Sequence, residues 1–168
     1  MKTKKTIFKI SFCLLIATCL CSCVSLKPIT QTKFEKVIEV PNVSKTDLYI
    51  KVNEWFVKNF ISAKSVIQFQ DKEEGKIIGK YVTRLPDIYA GINYSYESTQ
   101  TISVDVRDNR IRLTITDPCV SQGTTTTYGI SWGSCEKSAS DKSQLAMSVK
   151  WENLAHSLEE YVNNSSSW

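Results

Sequence analysis

The sequence is poor in histidine, the side chain on which many hydrolase sites are built. It contains one, His156, among 168 residues. A Ser-His-Asp triad or a zinc-hydrolase site would have to use that residue. On the last helix predicted below, it lies two positions from both Leu154 and Leu158, which turns it away from the apolar stripe. We therefore expect His156 to be exposed and unpaired, and we predict no catalytic residues, no metal site and no cofactor.

The sequence also lacks an excess of one charge once its N-terminal part is set aside. It has 21 basic and 17 acidic residues, but four lysines and no acid precede Cys23. The remainder therefore carries 17 charges of each sign. Nucleic acids and anionic lipids attract proteins through a long-range positive field, so this balance excludes both as electrostatic partners.

Residues 1–22 have the three parts of an export signal: a basic start, the apolar run Ile7–Leu20 and a small-residue end. The run ends in Leu-Cys-Ser before Cys23, which resembles the lipobox of bacterial lipoproteins, whose cysteine is lipidated. We predict a lipoprotein signal peptide over residues 1–22 and membrane attachment through Cys23. The alternatives are a secretion signal that leaves Cys23 as a thiol, an uncleaved signal anchor, and the weaker lipidation site Cys19.

Residues 23–32, which include Pro28, are predicted to form a short polar tether. Lipoproteins sent to the outer surface often have an acidic stretch just after the lipidated cysteine, and Val24–Lys27 has none. This absence favours a lipid anchor in the outer membrane that faces the periplasm of the cell envelope.

Two cysteines, Cys119 and Cys135, follow the predicted lipidation site. They enclose a loop rich in Gly and Thr, and in an oxidising compartment a disulfide is favoured over two free thiols. The loop contains Tyr128 and Trp132, each next to a glycine. Exposed aromatic side chains are costly unless they meet a partner or fold back on the sheet. Tyr128 and Trp132 are therefore candidates for contact with an envelope protein partner, and the alternative is that the loop packs against the sheet.

Two segments have apolar residues at helical spacing. The first is Ser44–Phe60, and Ser44 followed by Asp47 is typical of a helix start. The second runs from Ser138, with Asp141 as part of a possible cap, to about Asn163. The two stripes contain Leu48, Val52, Trp55, Phe56 and Phe60, and Met147, Trp151, Leu154, Leu158 and Tyr161.

The remaining segments have strand-type patterns. The clearest alternation is in Thr101–Val106 and Arg110–Thr116, which flank a turn at 107–110. Such alternation predicts an antiparallel sheet with one face on a core and the other in water. The other predicted strands are 34–40, 65–70, 76–83 and 91–98, and the predicted loops include 84–90 and 117–137.

The order strand, helix, four or five strands, helix predicts an α+β, two-layer sandwich with both helices on one face of an antiparallel sheet of about five or six strands. The domain is predicted over residues 33–163, with a frayed tail over 164–168. Gly75 is predicted to be a turn residue with positive φ, and Gly79 a strand residue crowded by a neighbour.

A resemblance supports this architecture. The run Ser44–Tyr49 with Trp55, followed by Val66–Phe69 and Gly75–Lys80, is similar to a family of bacterial lipoprotein domains of unknown function, numbered four-four-six-eight. The resemblance covers roughly Phe34–Val106. It implies a TBP-like fold and export, and it implies no activity or site residues.

Two function classes follow from these observations. The first is a non-catalytic binding or assembly module on a membrane, with an inhibitor of an envelope enzyme as a variant. Its second candidate surface is the water-facing side of the sheet, with Thr101, Ser103, Arg112 and Thr114. The alternative is a small hydrolase that uses carboxylates such as Asp87 and Asp105, which would have to converge in a cleft.

Overall fold

The computed structural model describes residues 26–60, 66–89, 92–121, 123–126, 129–132 and 135–164. These residues form two helices and nine strands, so the chain has the predicted α+β class. In chain order the elements are β1 (Lys27–Pro28), β2 (Lys33–Glu39), α1 (Lys45–Asn59), β3 (Ile67–Asp71), β4 (Lys76–Tyr89), β5 (Ile92–Arg107), β6 (Arg110–Ser121), β7 (Gly123–Thr126), β8 (Gly129–Trp132), β9 (Ser138–Ala139) and α2 (Asp141–Asn164).

The main sheet has five antiparallel strands in the order β2-β6-β5-β4-β3. The period-two pattern of β5 and β6 is confirmed, because Ile102, Val104 and Leu113 are fully buried while their neighbours face the other side. β1 pairs with β9, and β7 pairs with β8, in two small separate ladders.

Both helices cover the same face of this sheet, as predicted. Trp55 on α1 and Trp151 on α2 are fully buried. The Trp55 indole N–H donates to Ser157 on α2 at 3.1 Å, and Trp151 packs 6.1 Å from Phe34 of β2, measured between ring centroids. Burying two indoles and the apolar sides of the strands supplies the main favourable free energy of folding.

The start of α1 is confirmed at its predicted cap. The Ser44 hydroxyl accepts from the Asp47 backbone N–H at 3.2 Å. The predicted start of α2 at Ser138 is wrong, because the Ser140 hydroxyl accepts from the Ser143 N–H at 3.1 Å. Ser138 instead lies in β9 and pairs with Pro28.

The predicted loop over 84–90 is also wrong. β4 continues to Tyr89, and Pro86 pairs with Ser95 of β5. The two strands predicted at 91–98 and 101–106 are one long strand, β5, with a register shift against β6 between Thr99 and Thr101. The predicted loop over 117–137 contains the end of β6 and the β7–β8 hairpin.

The predicted tether over 23–32 belongs partly to the folded domain. β1 pairs with β9, and the Ile29 N–H donates to the Lys137 carbonyl at 2.9 Å. Ile29 is buried in the core cluster. The short β1 segment has no periodicity of its own, so its pairing depends on a partner more than 100 residues away in sequence, as in the Lys27–Ala139 pair.

Both glycine predictions are confirmed. Gly75 has a φ of 69°, and a Cβ there would lie 2.5 Å from the Val106 carbonyl oxygen. At Gly79 a Cβ would lie 2.8 Å from the Val66 carbonyl oxygen. Both positions therefore exclude a side chain, one through backbone conformation and one through crowding.

Candidate binding surface

The face of the main sheet opposite the helices is open to solvent, and we call it the open face. Its side chains come from alternate residues of β2, β6, β5 and β4, and they are mostly polar or charged. The half-exposed large apolar exceptions are Val37 on β2, Val82 on β4 and Phe69 on β3, which pairs with Ile78 of β4. The four residues that the sequence assigns to the water-facing side, Thr101, Ser103, Arg112 and Thr114, alternate with the buried residues of β5 and β6.

A groove of about 200 Å³ lies at one corner of this face, and we call it the arginine groove. Three strands form it, because the sheet order places β2 beside β6 and β6 beside β5. Three of its residues are arginines. The lining residues are Val37, Asp105, Arg107, Arg110, Ile111 and Arg112.

The β5–β6 turn holds the groove in place. Asn109 has a φ of 64°, which asparagine tolerates better than most residues. Its carbonyl accepts from the Val40 N–H at 2.7 Å, and its own N–H donates to the Val43 carbonyl at 3.0 Å. Asp108 accepts from the Lys45 N–H at the start of α1 at 2.8 Å. The turn is therefore fixed to β2 and α1 on both sides.

The charges in the arginine groove are only partly compensated. The Asp105 carboxylate lies 3.1 Å from the Arg112 guanidinium and 3.6 Å from the Lys76 ammonium, so one carboxylate forms ion pairs with two basic side chains. Arg107 and Arg110 face each other across the β5–β6 ladder. No carboxylate of the described residues forms an ion pair with either of them. Like charges directly opposite in a ladder are unfavourable, so an added anion would relieve their repulsion.

Two acids of β2 border the groove. Glu39 stands opposite Arg110 in the β2–β6 register, and Glu35 stands opposite Thr114. A hydrogen bond and the positive charge of Lys33, 2.7 Å away, lower the pKa of the Glu35 carboxyl, and the charge of Arg112 acts in the same direction. Glu35 is thus engaged by Lys33 along its own strand.

The sequence-predicted site residues fall largely outside this surface. Cys23 and Tyr128 lie outside the described residues. For Trp132 the structure gives the backbone, which pairs with Gly123. Cys119 and Cys135 form the predicted disulfide, with their Cα atoms 5.3 Å apart. The arginine groove was not predicted, although arginines at both ends of a predicted turn were a signal that basic charge would gather there.

The two carboxylates proposed for a hydrolase do not come together. Asp105 pairs with Lys76 at one end of β4, and Asp87 lies eleven positions further along that strand. At about 3.3 Å per residue, the separation along the strand is roughly 35 Å. Acid and base groups of glycosidases stand within about 10 Å of each other, so this pair cannot act together.

His156 is exposed as predicted but not unpaired, since its Nδ1 lies 3.5 Å from the Glu160 carboxylate. Among the described residues, no three of the His, Cys, Asp and Glu side chains cluster closely enough to hold a metal ion. Neither described helix has the length and apolar character needed to cross a membrane.

A second, wider depression of about 740 Å³ lies on the outer side of α1, beside β3. Its lining includes two exposed apolar residues, Ile50 and Val57, together with Asn53 and Lys72. The Asn53 side chain hydrogen-bonds to Gln70 of β3 across its floor. Its charged lining residues, Glu54, Lys58 and Lys72, include both signs, whereas three of the six residues that line the arginine groove are arginines.

The architecture, an antiparallel sheet with two helices on one face, defines an α+β protein of the TBP-like fold. The chain belongs to the family described as "Domain of unknown function (DUF4468) with TBP-like fold", whose model matches residues 34–120. The predicted family and fold are therefore confirmed. No functionally curated protein matches the chain.

Two solved structures are similar to this one. A TBP-like protein from Parabacteroides distasonis ATCC 8503 has a TM-score of 0.60 and 13% sequence identity, over 86% of this chain and 99% of that one. A DUF4468 family protein from Bacteroides ovatus ATCC 8483 has a TM-score of 0.57 and 12% identity, over 84% of this chain and 91% of that one. At such identities the similarity establishes the fold alone.

Proposed function

We propose that this protein is a lipid-anchored, non-catalytic binding module of the bacterial cell envelope, and that its arginine groove holds an acidic segment of an envelope protein. The observation that supports this proposal is the pair Arg107 and Arg110, which lie on an open sheet face without an ion-pair partner among the described residues.

The chemistry of the arginine groove suits a carboxylate. A guanidinium group presents a planar set of donors that matches a carboxylate in a bidentate manner. Arg112 is already braced by Asp105 at 3.1 Å, which leaves Arg107 and Arg110 for the partner. Val37, half exposed at the groove wall, offers an apolar contact beside the charges. A groove with paired arginines and one apolar wall fits an acidic peptide that also carries an apolar side chain.

The groove can be tested with a glutamate-rich peptide as the probe. Titrated into ¹⁵N-labelled protein, it should shift amide signals of Arg107–Arg112 and leave those of Ser138 and Ala139 in β9, at the opposite end of the domain, unchanged. The double variant Arg107→Gln/Arg110→Gln should lose the shifts. A lysine-rich peptide of equal length is the control. Equal shifts with both peptides, or shifts elsewhere on the molecule, would contradict the proposed groove.

Anchoring through Cys23 rests on the sequence pattern of residues 20–23. Several acyl chains on one cysteine would hold the protein on a membrane, since each buried methylene contributes about 0.8 kcal/mol. Radiolabelled palmitate should be incorporated by the wild-type protein, and Cys23→Ala should release the protein from the membrane fraction. Unlabelled protein, or a variant that stays with the membrane, would count against the anchor. We propose that the anchored protein is located on the periplasmic face of the outer membrane.

A further inference from the structure

Lys27–Ile29, which follow the predicted anchor, bond to the backbone of residues 137–139 at one end of the domain, and we call this contact the clamp. β1 pairs with β9, placing Lys27 opposite Ala139 and Pro28 opposite Ser138. The Lys27 ammonium lies 2.6 Å from the Asp141 carboxylate at the start of α2. The Ile29 N–H donates to the Lys137 carbonyl, so three consecutive backbone positions and one ion pair fix where the chain leaves the domain.

Gln144 on α2 strengthens this clamp. Its Nε2 donates to the Pro28 carbonyl at 3.2 Å, and its Oε1 accepts from the Thr30 backbone N–H at 3.1 Å. One side chain thus bridges two backbone groups on either side of the buried Ile29. The first turn of α2 is therefore hydrogen-bonded to the N-terminal segment on both sides of Ile29.

The clamp is tied to the main sheet at the far end of β6. Val120 and Glu136 exchange two backbone hydrogen bonds of 2.9 Å, and the disulfide from Cys119 to Cys135 lies beside them. Arg110, in the arginine groove, is ten positions away along the same strand. At about 3.3 Å per residue, the groove and the clamp are roughly 33 Å apart.

An apolar stripe begins on α2 at the clamp. Leu145 is one helical turn from Asp141, and Val149 is one turn further, so the three share a face. Leu145 is 68% exposed and Val149 50% exposed. Leu26, which directly precedes the clamped Lys27, is 45% exposed. Leu26 therefore precedes the Lys27–Asp141 ion pair directly, and Leu145 follows it by one turn of α2.

We propose that the stripe of Leu145 and Val149 lies on the bilayer surface, so that the domain stands on its clamped end. This inference rests on the proposed lipidation of Cys23. Lys27 is four positions after Cys23, so their Cα atoms are at most about 14 Å apart, whereas an unclamped tether reaching to Lys33 would allow about 35 Å. The short span brings the stripe to the lipid and directs the arginine groove toward the periplasm.

Depth-dependent fluorescence quenching tests this orientation. The lipidated protein, its two remaining cysteines in the disulfide, is labelled at Lys142→Cys near the stripe or at Lys72→Cys in the distant β3–β4 turn. Each is reconstituted into phosphatidylethanolamine–phosphatidylglycerol vesicles that contain a spin-labelled quencher lipid. Quenching should be at least several-fold greater at position 142 than at position 72. Equal quenching at both positions would overturn the orientation.

Two double variants with the label at position 142 test the contact itself. Leu145→Ser/Val149→Ser should reduce quenching at least two-fold while the protein still floats with the vesicles. The matched control Ile50→Ser/Val57→Ser removes exposed apolar side chains from α1 and should change nothing. A control that lowers quenching, or a stripe variant that leaves it unchanged, would overturn the proposal.

Mass spectrometry separates the lipid anchor from the orientation. Protein without acyl chains on Cys23 refutes the anchor. Acylated protein with an unquenched position 142 refutes only the orientation.

Discussion

At the scale of single residues, Gly75 shows how one backbone position ties the β3–β4 turn to the sheet. Its φ of 69° lies in the left-handed region, and its carbonyl accepts from the Val106 N–H at 2.7 Å. A side chain there would meet the Val106 carbonyl oxygen. The residue is therefore constrained by its conformation and by a contact that a methyl group would destroy.

Gly75→Ala should lower the free energy of unfolding by at least about 2 kcal/mol, because the left-handed conformation and the clash with Val106 add. Urea denaturation measures the change. Lys72→Ala, in the same turn and exposed, is the control and should change it by less than about 0.5 kcal/mol. Equal values for the two variants would show that the turn relaxes around the new methyl group.

A buried polar network lies beneath α2. Gln100 is fully buried on β5, its Oε1 accepts from the Trp151 indole N–H at 3.2 Å, and its Nε2 donates to Ser98 at 2.6 Å. Buried polar groups cost free energy unless they are paired, and this network pairs them. It fixes the position of α2 on the sheet through a directional contact.

Gln100→Leu should destabilise the protein by about 2 kcal/mol, because it keeps the volume but leaves the Trp151 N–H buried without an acceptor. Thermal or urea unfolding measures the loss. Thr101→Ala changes the next residue, on the open face, and should stay within about 0.5 kcal/mol of the wild type. A Gln100→Leu variant as stable as the wild type would show that the N–H finds another acceptor.

At the scale of elements, the start of α2 shows which of two serines caps the helix, a choice that the sequence alone could not make. Ser138 has Asp141 three residues later, and Ser140 has Ser143. The pairing of β1 with β9 draws Ser138 into a strand, which leaves Ser140 to cap the helix. That pairing is non-local, so no local pattern could indicate it.

Ser140→Ala should therefore cost about 1 kcal/mol of stability, the usual loss for a removed helix cap. Ser138→Ala should have an effect of less than about 0.5 kcal/mol, since its backbone does the pairing. Chemical denaturation of both variants provides the comparison. A larger loss for Ser138→Ala would restore the cap that the sequence predicted.

Other elements show the same division between local and non-local information. Alternation identified the buried sides of β5 and β6, because buried residues recur with a period of two in each strand, Ile102 and Val104 in β5 and Ile111 and Leu113 in β6. Pro86 suggested a loop, yet it lies in β4 and pairs with Ser95 of β5. The pairing of β3 with β4 ends at Gly79, so among the described strands none pairs with Pro86 on the edge of β4 opposite β5. Proline is tolerated in such an edge position.

The candidate site could be predicted only in part. The open face followed from the alternation that placed Arg112 and Thr114 toward water. The groove did not, because Val37 reaches Arg112 only through the pairing of β2 with β6, which are more than 70 residues apart in sequence. Sheet order is set by tertiary packing, and strand patterns do not encode it.

The disulfide joins two elements and should stabilise both. Cys119 at the end of β6 and Cys135 before β9 are 16 residues apart. For a loop of this length the chain-entropy model gives about 3 kcal/mol. Cys119→Ser/Cys135→Ser should lower the free energy of unfolding by that amount, measured by urea denaturation. A variant that unfolds at the wild-type denaturant concentration would contradict this estimate.

At the scale of the whole molecule, the two ends of the sheet have different chemistry. One end has the β1–β9 clamp, the disulfide and exposed apolar side chains near Leu145. The other has the arginine groove, fixed by the β5–β6 turn. In the proposed arrangement the first end meets the membrane and the second meets a partner, with the sheet as the spacer between them.

Photo-crosslinking in intact cells tests whether a partner protein binds in the arginine groove. A photoreactive amino acid replaces Val37 in the arginine groove, or Val57 on α1, which is also exposed, as a control. A discrete adduct is expected from position 37, absent from position 57 and lost in Arg107→Gln/Arg110→Gln. No adduct at position 37, or an adduct that persists without both arginines, would contradict binding in the groove.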